Sequence, residues 1–510
     1  MVAGGGGCGA PLPRTRLAQV LLLVLLLAGC GDPTDPATDP ADDPDAEVLH
    51  LVDVEANQGV AVALVQEGEP VPLVDRNAPL IEDRPILIRT RWEVGTAWTS
   101  RSIRAELHLS DAGGAHATFT ETRWVDQRPS TLADPDRHFA WEVPAEWARE
   151  EVTLRIETDS GGTGPLPMGV EPGEMVIRVT VVPVGHDFEE SCAEIPSLTP
   201  ADVETLGELL HRRNPTQRVE MTLREPFIWS ESLDRYTGLL AALSQLRFED
   251  GAHPAEYYAG LVHHCVRTGG QAITIPAFPT LDNGWTRTVV SAWRGAAPLT
   301  STTFVHEMGH AQGRAHVRCT GSEGAPDPNY PYPAGNIGVW GWSLNLEDAR
   351  MNWLSGNLYH PVESNDYMGY CTGPQHVSDY GWRQVAPFIH EISGWDASAA
   401  HTPSEARLLV ALAHPGEDLH WFEVPGRPTP DAAGPTGPES RLLVLDFDDS
   451  LPPVELHARV LPSTAAGGEV FEVALPSGRG IVTAVRTVDA PDASSGRSTV
   501  APGLPSRGPP

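Results

Sequence analysis

The chain has 510 residues, 41% of them hydrophobic, which is enough to bury the cores of about two to four domains and excludes a disordered polymer. Acidic residues number 68 against 35 basic ones, for a formal net charge of -33, and every basic residue is arginine because no lysine occurs. Such a surface repels nucleic acid and anionic lipid, so polyanion binding is removed from the candidate functions.

The N-terminus reads as an export signal. Arg14 and Arg16 precede an apolar run, Leu17 to Leu27, that is too short to span a bilayer comfortably and ends in small residues. Leu27-Ala28-Gly29-Cys30 resembles a bacterial lipobox, which implies that residues 1–29 are a lipoprotein signal peptide and that Cys30 is lipidated and becomes the mature N-terminus. The rival is an ordinary signal peptide cleaved near Ala28. Gly31 after the cysteine, by resemblance to enterobacterial lipoproteins, points to the outer membrane or cell surface, with the N-terminal lipid as the sole membrane contact. The rest of residues 30–48 is Pro- and Asp-rich with no apolar period, an extended, self-repelling tether.

Residues 49–184 alternate apolar and polar side chains in short runs: Val60–Val65, Ile86–Val94, Ile103–Leu109, Ala117–Trp124, Phe139–Val143, Val152–Ile156 and Met175–Val182. Seven such runs separated by Gly, Pro and Asp turns predict a β-sandwich of immunoglobulin-like type. Its role is open among substrate binding, spacing from the membrane and assistance in folding the next domain.

Residues 185–396 mix helix and strand. Thr199-Pro200-Ala201-Asp202 is a helix start, with a capping threonine, proline at the first helical position and an acid three residues on. A second helix is expected from Ser230, with Leu233, Tyr236, Leu239, Leu240, Leu243 and Leu246 at helical spacing, and strands follow at Tyr257–Val262 and Ala272–Ile275. A third helix, capped by Thr300 or Ser301, leads into His306-Glu307-Met308-Gly309-His310-Ala311-Gln312-Gly313-Arg314-Ala315-His316. This is a complete H-E-x-x-H-x-x-G-x-x-H string. On a helix His306 and His310 share one face and can reach one zinc ion at about 2.0 Å. Glu307 beside them is placed to take the proton of a water that the metal has acidified. His316 joins them only if the chain reverses, and Gly313 permits the reversal because glycine adopts positive φ at little cost. Three nitrogen ligands leave a fourth position open, as a hydrolytic zinc requires.

From 397 to 488 strand-like runs return: Leu408–Ala413, His420–Val424, Leu442–Phe447, Val454–Val460, Val470–Ala474 and Ile481–Val485, a second β-domain expected to flank the centre as a sandwich. Residues 489–510, rich in Pro, Gly and Ser, read as a disordered tail.

The extended histidine string resembles the metzincin clan of zinc metalloproteases. That resemblance implies a multidomain fold in which an α/β metzincin-like domain is flanked by β-sandwiches, and it implies a methionine-bearing turn below the metal. Asn365-Asp366-Tyr367-Met368-Gly369-Tyr370-Cys371 fits, with Met368 at the turn. Tyr370, two residues on, stands where astacin-like and serralysin-like members carry a tyrosine near the zinc, either as a ligand that swings to stabilise the oxyanion or as packing under the turn. Four cysteines follow the lipobox: Cys192, Cys265, Cys319 and Cys371. An even count in an exported chain favours two disulfides, and of three possible pairings Cys319 with Cys371 is preferred, because one follows the third histidine and the other the Met368 segment. Cys192 with Cys265 is the complement. Val317 after the last histidine matches none of the acidic, serine or proline residues that mark several metzincin families, so no family within the clan is assigned. Residues 327–342 form an aromatic, Gly/Pro-rich loop that either lines the substrate cleft or packs its own rings. Ser378-Asp379 opens a closing helix to Gly394, with Pro387 inside it. His263, His264, His360, His376 and His390 lack a metal-ligand frame.

The function expected is therefore that of a lipid-anchored zinc endopeptidase, a hydrolase cutting proteins or glycoproteins with Glu307 as the base. The alternative is a non-catalytic surface lipoprotein, an adhesin, that keeps zinc for structure. Glu307 opposes the alternative, since a structural site has no use for that acid and fills its fourth position with a protein ligand. Oligomeric state is not legible.

Overall fold

The computed structural model describes residues 47–187, 195–233, 235–263, 269–294, 298–319, 321, 326–343, 358–395, 404–429, 440–464 and 467–488. The signal segment, Cys30, most of the tether, Cys192, Cys265, His264 and the 489–510 tail lie outside them. The described chain is multidomain and mostly β-sheet, with four α-helices among the described residues.

Two antiparallel sheets form the N-terminal unit. One runs Glu69–Pro70, Ala61–Gln66, Leu49–Asn57, Ile86–Val94, Phe139–Val143, and the other Gly161–Gly162, Thr153–Thr158, Arg101–Ser110, His116–Val125. Alternation does the work: Ile103, Ala105, Leu107 and Leu109 are buried while Arg104, Glu106 and His108 between them are not. Strand Leu49–Asn57 has no counterpart among the runs read from sequence, because a bulge between Leu51 and Asp53 breaks its two-residue period.

The seventh run belongs elsewhere. Val176–His186 is a buried strand of a separate, six-stranded sheet, so the boundary placed at residue 184 falls inside it. It runs parallel to Arg218–Leu223 and Phe227–Trp229 on one side and to Glu256–His263 on the other. Its near-continuous apolar run is buried on both faces, the habit of a parallel strand covered above and below. The sheet continues through Thr288–Trp293, also parallel, to Gly270–Ala272, which is antiparallel and forms the edge.

Helices cover both faces. α1 (Pro200–Arg213) starts on the expected capping box, Thr199 with Asp202. α1, α3 (Pro298–Ala311) and α4 (Asp379–Ser393) share one core with Ile177, Val179, Tyr257, Leu261 and Val289. α2 (Thr237–Glu249) packs on the opposite face with Val182, Val184, Tyr258 and Val290. α2 starts seven residues later than Ser230, because residues 229–231 are tied to the strand end instead: Asp187 N donates to Trp229 O (2.8 Å), and His186 Nε2 lies 2.8 Å from Glu231 O. α3 starts at Pro298, ahead of the expected cap, and Pro387 sits inside α4.

The C-terminal unit is one continuous antiparallel sheet in the order His420–Pro425, Arg407–Ala413, Glu469–Ala474, Val454–Pro462, Ser440–Phe447, Val482–Thr487. Along Arg407–Ala413 alternate residues serve two cores. Leu408, Val410 and Leu412 meet α2, while Leu409 and Ala411 meet Leu443, Leu445, Phe471 and Val485. This explains why α2 is apolar nearly all round.

Candidate metal centre

α3 buries Phe304, Val305, Met308 and Ala311, which turns His306 and His310 toward the same side with ring centroids 4.7 Å apart. The helix ends in a Schellman motif: Arg314 N donates to Gly309 O and Gly313 N to His310 O, both at 2.9 Å. Gly313 has φ +85°, and a Cβ there would lie 2.7 Å from Pro276 O, so only glycine serves. The reversal returns His316 to within 4.6 Å and 5.2 Å of the other two rings, centroid to centroid. One nitrogen from each of the three buried histidines falls within 4.8 Å of the others.

Two carbonyls orient the ligands. His306 Nδ1 lies 2.9 Å from Tyr367 O, and His310 Nδ1 lies 2.7 Å from Arg314 O. With Nδ1–H donated, each Nε2 carries a lone pair. His310 Nε2 is only 3.1 Å from His316 Nε2, a spacing that two bare acceptors tolerate when a cation sits between them. Burial pushes His306 down to about 4 and His310 down as well, which keeps both in the neutral form that binds metal. The donor set of three convergent, buried imidazoles therefore fits a metal ion.

One buried ion pair links those two carbonyls. Arg314 Nη2 is 2.9 Å from both carboxylate oxygens of Asp366, and the guanidinium lies over the Tyr367 ring at 4.8 Å. Asp366 also accepts from Ser378 Oγ (2.6 Å), Ser378 N (3.0 Å) and Met368 N (2.9 Å). Burial pushes its carboxyl up, but Arg314 and these donors outweigh burial and hold it below the usual carboxylate range. Arg314 and Asp366 escaped the sequence reading. Asp366 stood in the methionine segment without a role, and nothing local pairs it with a position inside the histidine string.

Met368 is fully buried beneath α3 with its sulfur against Gly309, where any Cβ would overlap it. Its carbonyl accepts from Val317 N at 2.9 Å, and Val317 bridges Gly369 in parallel. Cys319 and Cys371 form a disulfide with Cα atoms 5.2 Å apart, joining the segment after His316 to the segment after Tyr370. Tyr370 is 47% exposed, its hydroxyl 3.0 Å from His316 Nε2 and its ring stacked on His306 at 5.6 Å. That hydroxyl therefore stands beside the point on which the histidines converge.

Glu307 is buried next to the sheet edge, where a Cβ on Gly270 would lie 2.7 Å from its carboxylate oxygen. Burial pushes its carboxyl up to about 8, and a hydrogen bond from Ala272 N–H pulls the other way. The aromatic loop is partly exposed but fastened by its own hydrogen bonds. Tyr332 OH donates to Asp379 (2.6 Å), Tyr330 OH to Asn336 O (2.6 Å), and Val60 of the N-terminal unit bridges Gly341. His376 is buried with Nε2 2.8 Å from Gly59 O, and His360 packs on Trp340. Neither joins a metal cluster among the described residues.

No family model matches the chain, and no curated protein matches it. Among solved structures it is similar to a chaperone–substrate complex, at 14% identity over 52% of this chain and 40% of that one with a TM-score of 0.23. It is similar to a carbohydrate acetylesterase from Xanthomonas citri at 11% identity, over 81% of this chain and 91% of that one, with a TM-score of 0.16. A calcium-binding mutant of β-glucuronidase 2 from Bacteroides uniformis follows at 11% identity over 41% and 24%, with a TM-score of 0.13. At such scores the likeness does not extend to a shared fold.

Proposed function

We propose that the chain is a metzincin-like zinc endopeptidase that hydrolyses protein or glycoprotein substrates, exported and anchored through lipidated Cys30. The observation that carries this reading is the convergence of His306, His310 and His316 beside a buried carboxylate at the Gly270 end of a sheet edge. Met368 under α3, the reversal at Gly313 and the placement of Tyr370 support it.

His306, His310 and His316 would hold the ion. Zinc, when bound, supplies Lewis acidity to the scissile carbonyl and to the attacking water. Glu307 takes a proton from that water and delivers it to the leaving amine. Tyr370 donates a hydrogen bond from its hydroxyl, keeping the proton, to the oxygen that gains charge as the carbonyl carbon becomes tetrahedral. Gly270, with no side chain, leaves the room that the Glu307 side chain occupies against the sheet edge.

Glu307→Gln keeps the shape and the ligands but removes the base. The full chain carrying it is expected to retain zinc by atomic absorption and to lose about 10²-fold to 10⁴-fold in casein hydrolysis. Undiminished hydrolysis in that variant would sink the mechanism. Bound zinc with no cleavage of any protein by the wild-type chain would instead indicate the binding lipoprotein.

A further inference from the structure

Among the described residues strand Gly270–Ala272 pairs with Thr288–Trp293 alone, and its register shows which groups face outward. Gly269 O accepts from Ala292 N (2.7 Å) and Ile273 N donates to Thr288 O (3.2 Å), so the odd-numbered residues 269, 271 and 273 bond to the neighbouring strand. The N–H and C=O groups of Gly270, Ala272 and Thr274 therefore point to the free edge, the side on which Glu307 sits. A peptide adding itself there as an extra strand would find these groups as its partners.

Most of that edge is already occupied by the chain itself. Thr464 Oγ1 donates to Ala272 O at 2.6 Å, and Thr274 Oγ1 donates to Pro462 O at 2.5 Å. Ala272 N–H is held by Glu307. Residues 271–274 are buried, whereas Gly269 is exposed and Gly270 half-buried. The segment Pro462–Thr464 leaves strand Val454–Pro462 of the C-terminal sheet, and that sheet is anchored through the core it shares with α2 and Ile273. The cover is thus a fixed wall.

A wall at one end of a β edge has a direction. Antiparallel pairing is the more stable mode, and in it the part of a substrate on the amino side of the reacting bond runs from Gly270 toward Ala272 and Thr274. The carboxy side runs out past Gly269, which is exposed. Outward-facing groups recur every two residues, about 6.6–6.8 Å, so the wall begins about two residues from Gly270.

The geometry points to a C-terminal sheet that serves as a specificity element: Pro462–Thr464 closes the cleft on the amino side of the substrate, so the enzyme cuts extended peptides within about two or three bonds of their amino end. This rests on the peptidase reading above and narrows it, from general endopeptidase to one that trims from the amino terminus.

The test is a library of synthetic fourteen-residue peptides of mixed sequence, digested by the zinc-loaded full chain, with each cut position read by mass spectrometry. Cuts are expected to be at least tenfold more frequent in the first three bonds than in the last six. A chain carrying Pro462→Gly with Thr464→Gly, its fold checked by its melting temperature, is expected to move the cuts inward. The wild-type distribution decides the matter even if that variant fails to fold. Cuts spread evenly, or gathered at the carboxy end, would overturn the inference and leave the peptidase reading standing. No cut anywhere in the library would overturn both.

Discussion

The two β-units grip the central domain by different means. The N-terminal sandwich shares one apolar core with it and adds directional bonds to defined backbone atoms. Arg84 donates to Asn214 O and Thr216 O at the end of α1 (3.0 and 2.8 Å), Trp382 Nε1 to Pro79 O (3.0 Å), Asn77 Nδ2 to Asp379 (2.9 Å), and Asn57 Nδ2 to Trp340 O (2.9 Å). The C-terminal sheet docks mainly by apolar contact, through Leu408, Val410, Leu412, Phe422 and Val424 against α2. Apolar burial is non-directional and sets how close two layers lie, whereas hydrogen bonds set where particular atoms go. The polar grip reaches the end of α1, the first turn of α4 and the loop at Trp340, while the apolar grip falls on regular structure alone.

The largest expected effect tests the polar side at its centre. Arg314 and Asp366 are both buried, so Arg314→Met leaves a carboxylate without its cation. Breaking such a pair costs about 3–5 kcal/mol. Because the pair ties the carbonyls facing His306 and His310 together, zinc affinity is expected to fall by about 10-fold to 100-fold. Chelator competition and chemical denaturation measure the two effects separately. Lost stability with unchanged zinc affinity would make the pair a support of the fold alone.

How the sequence showed some of this and hid the rest follows the same division. The histidine string was legible because its geometry is local: a helical repeat brings two ligands together, and one glycine returns the third. Cys319 and Cys371 were paired by their places after His316 and Met368, and the structure joins them. The run Met175–Val182 reads as a sandwich strand because a short apolar run does not reveal which sheet will bury it, here as part of Val176–His186. The partners of Arg314 and Ala272 lie 52 and 192 residues away. No periodicity records a contact of that kind.

A pH titration sharpens the polar grip next. His376 sits where the two units meet, stacked on Tyr359 at 4.2 Å, and burial, aided by Arg213, pushes its imidazole down to about 3. The unfolded chain binds this proton near pH 6.5 and the folded chain only near 3. Stability is therefore complete above about 6.5 and is lost as pH falls from there toward 3, by on the order of a few kcal/mol. His376→Gln is expected to flatten that part of the stability curve measured by denaturation at each pH. An unchanged slope would place the acid sensitivity in another group, such as His138, which burial also depresses, to about 4.

The smallest effect tests the apolar side. Arg235 and Glu417 form an ion pair across the α2 interface at 3.0 Å, with 46% and 24% of their side chains exposed. Water screens a pair so placed, and Arg235→Ala is expected to cost less than about 1 kcal/mol. Leu412→Ala, within the same interface, removes a side chain 2% exposed and is expected to cost about 2–4 kcal/mol. The ratio matters more than either value. If denaturation shows Arg235→Ala to be as costly as Leu412→Ala, the C-terminal sheet is held by charge as well, and its attachment, together with the wall it places on the cleft, should weaken as salt is added.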